Sequence, residues 1–184
     1  DVNGDGNLDI FCAEMAKWSV NAAQPDNASA RMWVFLGDGK GNFTETLVAR
    51  GTGNHESKPG DLDGDGFPDL YVCHYVNWSF ANHPACKDYR GEGLADVCSP
   101  KHFEPLPHTL YLNNGDGTFT DVTARSGIGE DSCTTVASWA DYDNDGFLDL
   151  YVGRYMDPRV DIPTTFYARN GEANQLYHNN GDGT

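Results

Sequence analysis

Apolar residues in this chain come in short, β-prone runs separated by polar punctuation. Ile10-Phe11-Cys12, Leu70-Tyr71-Val72-Cys73 and Leu150-Tyr151-Val152-Gly153 each follow a segment dense in aspartate and glycine. Short apolar runs bounded in this way predict strands rather than helices. A second figure accompanies the first. Trp33-Val34-Phe35-Leu36, Leu110-Tyr111-Leu112 and Leu176-Tyr177 each run into a turn of Asn, Gly and Asp, and in the first two copies Phe43 or Phe119 then opens a return strand. Apolar strand, glycine-rich turn, second strand is the signature of a β-hairpin. No amphipathic helix is evident.

Together the two figures define a unit of four antiparallel strands: strand, acidic loop, strand, connection, strand, NGDG turn, strand. Residues 1–52 read as a partial first blade and 53–130 as a complete second blade with an insertion at 78–106. Residues 131–184 read as a partial third blade with an insertion at 157–172. Four-stranded units in tandem bury their faces against one another as propeller blades. The expected fold is therefore all-β, with β-propeller blades and calcium-binding loops. About three units cannot close a ring of four to eight. The chain also opens inside one acidic loop and stops inside a turn, so a fragment of a longer propeller is expected, with an open stacked array as the alternative. Pro59-Gly60 stands where the third unit has Trp139-Ala140, which predicts a short or irregular opening strand in the second blade.

The acidic loops carry the chemistry. They read Asp1, Asn3, Asp5, Asn7 and Asp9; Asp61, Asp63, Asp65, Phe67 and Asp69; and Asp141, Asp143, Asp145, Phe147 and Asp149. Side-chain oxygens at positions 1, 3, 5 and 9, with the position 7 carbonyl as a further donor, suit a hard cation. Calcium accepts six to eight such oxygens in irregular geometry, whereas magnesium retains several waters. The spacing begins like an EF-hand loop but closes early, and a strand follows instead of a helix. About three Ca²⁺ ions are expected. Asn3 makes the first loop the least charged of the three.

Charge then takes its place in that picture. The formal net charge of −16 disfavours nucleic acid and an anionic membrane surface as partners. The loops hold eleven of the aspartates, and three bound calcium ions would leave a net charge of about −10. Without a cation the loop carboxylates repel one another, so calcium should stabilise the fold. No apolar run approaches the ~20 residues that span a bilayer, so membrane insertion is not expected. Of the five cysteines, Cys86 and Cys98 sit in a polar insertion, and a disulfide there would close a short loop and add about 2–4 kcal/mol. Cys12 and Cys73 lie in apolar strands and read as buried thiols. A disulfide together with calcium loops points to an extracellular, cell-surface or periplasmic location. Asn27, Asn42 and Asn77 have the form of glycosylation acceptors.

The loop D-x-[DN]-x-D-G-x-x-D followed by Leu-Tyr-Val resembles the FG-GAP/VCBS repeat of integrin α-subunit propellers and secreted bacterial proteins. The run Ser138 to Val152, the run Leu110 to Thr123 with Ser126-Gly127-Ile128, and the insertion with Cys86 and Val97-Cys98-Ser99-Pro100 are similar to the cartilage-acidic-protein-like branch. That resemblance implies an exported, calcium-stabilised propeller of about seven or eight blades with a binding or adhesive role. It carries over no catalytic residues.

Three functions compete. A binding module would present Trp78, Phe80, Tyr89 and Phe103 of the insertion to protein or glycan, since aromatic residues dominate binding hot spots. The alternative for those aromatics is packing of the insertion onto its blade. A structural component of an extracellular filament or matrix would self-assemble through unpaired edges. An enzyme acting on carbohydrate would draw on His55, His74, His102, His108 and Glu104. These show no metal-ligand spacing, and no nucleophile elbow or phosphate loop accompanies them. A binding module ranks first and an enzyme last.

Overall fold

Side chains on a strand alternate between two faces, so one strand can pack against two neighbours at once. The computed structural model describes residues 1–14, 17–19, 22–26, 30–51, 56–74, 76–79, 81–86, 98, 102–128, 134–154 and 173–181. The first sheet holds β1 (Ile10–Ala13), β4 (Arg31–Gly37) and β5 (Phe43–Arg50), with a separate hairpin of β2 (Lys17–Ser19) and β3 (Ala22–Asp26) between its first two strands. The second sheet holds β6 (Glu56–Gly60), β7 (Asp69–Cys73), β8 (Thr109–Asn113) and β9 (Phe119–Asp121), in that order. A short helix, α1 (Thr123–Ser126), follows it. The third sheet orders β10 (Thr134–Ala140), β11 (Asp149–Arg154) and β12 (Gln175–Tyr177). Every pairing is antiparallel. The fold is all-β, with successive sheets of the propeller-like repeat type.

β7 shows how the sheets pack. All five of its residues are buried. Leu70 and Val72 join Met32, Phe11 and Ala13 of the first sheet in one apolar cluster. Tyr71 and Cys73 face the other way and join Leu150, Val152 and Ala137 of the third sheet. Each such side chain contributes about 1.5–3 kcal/mol on full burial, which makes the central strand of the central sheet the apolar keystone. The outward faces of the end sheets are less covered: Ile10 and Leu47 on the first, and Val136, Tyr151 and Leu176 on the third, are exposed.

Three expectations meet the structure here. β6 is neither short nor irregular, because it pairs with β7 from Glu56↔Cys73 to Gly60↔Asp69 without a register shift. It is an edge strand of its sheet, where a proline is tolerated. Gly60 is also needed there. A Cβ on it would lie 2.8 Å from the Trp139 ring, which packs across the interface from β10. Cys12 is exposed and not buried. Alternation turns Phe11 toward the second sheet and Cys12 away from it, whereas Cys73 is enclosed and its thiol is pushed up to about 12 by that burial. The Cys86–Cys98 disulfide is present, with Cα atoms 5.3 Å apart. His55, Phe80, Tyr89, Asn27, Cys133 and the 157–172 insertion lie outside the described residues.

At the end of the second sheet away from the acidic loops, two histidines are buried. The His74 amide donates to His108 Nδ1 at 3.2 Å, and His108 Nε2 lies 2.8 Å from Thr134 Oγ1 of β10. An accepting Nδ1 leaves the proton on Nε2, so His108 is a neutral imidazole spanning two sheets. Burial, with His74 and Arg154 nearby, lowers its pKa from 6.5 to about 4. At this site the unfolded chain then binds more protons than the native one, so the contribution of His108 to stability falls as pH drops from 6.5 to about 4, whereas a carboxyl raised to about 6, as Asp69 is, contributes in the opposite sense. His108→Gln should remove the histidine's contribution and so change the slope of stability against pH, by about 3 kcal/mol over the window. Urea denaturation of both proteins across that range would test it, and identical slopes would refute the assignment.

Candidate metal centres

Each acidic loop is folded by its own carboxylates onto its own amides. The position 1 aspartate accepts the position 6 amide, from Gly6 to Asp1 at 2.8 Å, Gly66 to Asp61 at 3.0 Å and Gly146 to Asp141 at 3.0 Å. The position 5 aspartate accepts the position 7 amide, with Asn7, Phe67 and Phe147 as donors. Tight turns of this kind need left-handed backbone at position 4. Gly4 and Gly64 adopt it at φ 71 and 76, and Asn144 does so at φ 61. Asparagine is one of the few side chains that tolerate that region.

The closing aspartate has a different job. Asp69 Oδ2 accepts the Leu62 amide at 2.8 Å, and its Oδ1 accepts the Asn113 amide at 2.8 Å. Asp149 does the same with Tyr142 and Asn179, and Asp9 with Val2 and Gly37. One carboxylate thus ties the start of its loop to the end of the third strand. Asp69 and Asp149 are each 1% exposed. Burial pushes Asp69 up to about 6 against the two amides, and Asp63 and Asp65 push the same way. Asp63 is also raised, by burial first and then by Asp65 and Asp61. Asp149 shifts the other way. Burial again opposes its charge, but the Asn179 and Tyr142 amides and His178 outweigh it and hold the carboxyl below its usual range.

These wirings bring carboxylates together. Asp61, Asp63 and Asp69 place one oxygen each within 4.8 Å of one another, as do Asp141, Asp143 and Asp145. In the third loop Asp143 and Asp149 also converge with His178, whose Nδ1 lies 3.2 Å from Asp149 Oδ1. The first loop forms no such group among the described residues. There Asn3 turns its amide toward Asp5 Oδ2 at 3.2 Å. An all-oxygen set of mutually repelling carboxylates on a tight turn fits a hard divalent cation. A family model described as FG-GAP-like repeat matches residues 1–72 and 88–152. The chain belongs to the FG-GAP-like repeat family. No solved structure matches it. FG-GAP-like repeats often bind calcium and build modules that are typically extracellular and adhesive.

Within this FG-GAP-like chain, the second and third loops assemble their sequence-identified residues best. Asp65 and Asp5 are engaged with local amides, and Phe67 uses its side chain as well as its backbone. The Phe67 ring packs over Gly115 of its own hairpin turn and Gly4 of the preceding loop, at distances a Cβ on either glycine would reduce to 2.9 Å.

Two asparagines escaped the sequence analysis. Asn113 Nδ2 donates to Val2 O at 2.8 Å and Pro68 O at 3.2 Å. Asn179 Nδ2 donates to Leu62 O at 2.7 Å and Leu148 O at 3.1 Å. Each asparagine binds its own loop and the loop of the preceding repeat. The signal was the first Asn of the doubled Asn-Asn-Gly-Asp-Gly turn, which Gly37 replaces in the first repeat. Asn113→Ala should cost about 1–3 kcal/mol by orphaning buried carbonyls. Asp69→Ala should cost more, because it removes the acceptor of two buried amides. Chemical denaturation of both variants checks the order, and a neutral Asn113→Ala would show that the lateral tie carries no stability.

Proposed function

We propose that the chain is a calcium-stabilised module of an extracellular, cell-surface or periplasmic protein that binds protein or glycan through its insertion. In this reading the chain resembles the cartilage-acidic-protein-like branch of that family. The observation that carries it is the convergence of Asp61, Asp63 and Asp69, repeated by Asp141, Asp143 and Asp145. Burial, with the neighbouring carboxylates adding to it, raises the pKa of Asp63 and Asp69, and a divalent cation would offset that penalty. The disulfide and the membership in a family of extracellular modules support the location. No helix among the described residues is long and apolar enough to cross a membrane.

The insertion supports the binding role. Trp78 Nε1 donates to His83 Nδ1 at 2.8 Å, and the His83 ring stacks on Phe103 at 6.2 Å beside buried Cys98. Phe103 is buried and packs the insertion, while Trp78 keeps part of its ring accessible. His102 and Glu104 are exposed, whereas His74 and His108 are buried.

Calorimetric titration of chelated protein with calcium should show about three sites, the first loop weakest because Asn3 replaces a carboxylate. A site at hundredfold excess over its Kd adds about 2.7 kcal/mol of stability, read as a rise in melting temperature. Asp63→Asn and Asp143→Asn should each remove one site. Absence of binding with an unchanged melt would sink the calcium reading. A glycan or extracellular-protein array probed with calcium-loaded chain tests the second half. Trp78→Ala should lose the signal without lowering the melting temperature, and retained binding would move the contact surface elsewhere.

A further inference from the structure

A single buried side chain touches both the second and the third acidic loop. Asn179 is 6% exposed, and its Nδ2 donates to Leu62 O of the second loop at 2.7 Å and to Leu148 O of the third at 3.1 Å. Its Oδ1 accepts the Gly181 amide at 2.9 Å, which fixes the orientation of the side chain. Its backbone amide donates to Oδ1 of Asp149, the closing aspartate of the third loop, at 2.9 Å. Leu62 lies between Asp61 and Asp63, and its amide donates to Asp69 Oδ2 at 2.8 Å. Leu62 is thus held at its amide by its own loop and at its carbonyl by the next repeat. Asn113 repeats the arrangement one interface earlier, through Val2 O, Pro68 O and Asp69 Oδ1. The later interface isolates the asparagine contact. Phe67 reaches back to Gly4 of the preceding loop, whereas Phe147 packs over Gly181 of its own hairpin and a Cβ on Gly64 would meet nothing within 4 Å.

We infer that the second and third loops bind calcium with positive cooperativity, and that Asn179 is the positioning residue that couples them. This rests on the calcium reading above. A cation held by Asp61, Asp63 and Asp69 removes their mutual repulsion and restricts Leu62, which two of those aspartates flank. Leu62 O then offers Asn179 a fixed acceptor, and the Asn179 amide in turn holds Asp149 in place. The next ion meets a loop that has already lost part of its conformational freedom, so it binds more tightly without any new contact to the metal. Linkage makes the effect reciprocal: a filled third loop must raise the affinity of the second by the same factor. Direct charge effects run the other way, because a neutralised loop attracts the neighbouring cation less. They act between carboxylates of which Asp65, Asp143 and Asp145 are exposed, and salt screens such interactions beyond about 8 Å at 0.15 M.

Calorimetric titration of the chelated full chain with calcium, at about 0.15 M salt, reads the coupling. Asp63→Asn should abolish the second site and weaken the third about fivefold or more. Asp143→Asn should abolish the third site and weaken the second by the same factor. In an Asn179→Ala background both cross-effects should vanish, so that the affinity of either loop no longer depends on its neighbour. A purely structural role for Asn179 would lower the melting temperature and leave the cross-effects in place. Asn179→Ser keeps a hydroxyl too short to span both carbonyls, and it decides the matter if Asn179→Ala does not fold. Independent sites in the wild-type chain, or cross-effects that survive in a folded Asn179 variant, overturn the inference and leave the calcium reading standing. A chain that takes up no calcium overturns both.

Discussion

A carboxylate that accepts two backbone amides, buried in the second and third repeats, is the constraint on which the array depends. Asp9, Asp69 and Asp149 each fasten the second residue of a loop to the end of a strand that lies a hairpin away. Leaving such amides unmatched in a buried site costs about 1–3 kcal/mol each, more when the partner was charged. A neutral side chain at this position could not serve both donors as acceptor as well as an anion does. The geometry that closes the loop is thus the geometry that aims the remaining aspartates inward. Loop shape and strand register are one arrangement.

That arrangement passes from repeat to repeat by two routes. One is polar: Asn113 and Asn179 reach from the hairpin end of one repeat to the position 2 carbonyl of the loop before it. The other is apolar: period-two alternation on β7 sends Leu70 and Val72 one way and Tyr71 and Cys73 the other. Together they align successive loops on one end of the sheets, with Phe67 wedged between Gly4 and Gly115 at that end. Gly37 stands at this position in the first repeat and has no side-chain amide to extend.

The sheets were legible because hydrophobic periodicity and glycine turns are local signals. The loops were legible because their spacing recurs three times. What the sequence concealed depends on contacts between repeats. Asp69 looks like Asp63 in sequence, yet one is a buried fastening and the other sits in an exposed loop. Cys12 reads as a core thiol until one knows which face of β1 has a neighbour. Pro59-Gly60 looks disruptive, but the edge position tolerates the proline and the Trp139 ring demands the glycine. The β2–β3 hairpin went unrecognised because its strands are short and one carries Pro25, a residue that weakens any strand signal.

Repeats that share a backbone need not share an environment. Asp69 and Asp149 make equivalent amide contacts, yet burial outweighs them at Asp69, whereas the amides and His178 outweigh burial at Asp149. A visible difference is the third residue of the hairpin strand: Leu112 in the second repeat, His178 in the third. His178 lies 3.2 Å from Asp149 Oδ1 and 3.5 Å from Asp143 Oδ2, a polar contact that Leu112 cannot make. In a repeat protein the backbone hydrogen bonds set what is constant. Individuality enters through the few side chains that face the next repeat, and those are the positions at which function can diverge without disturbing the frame.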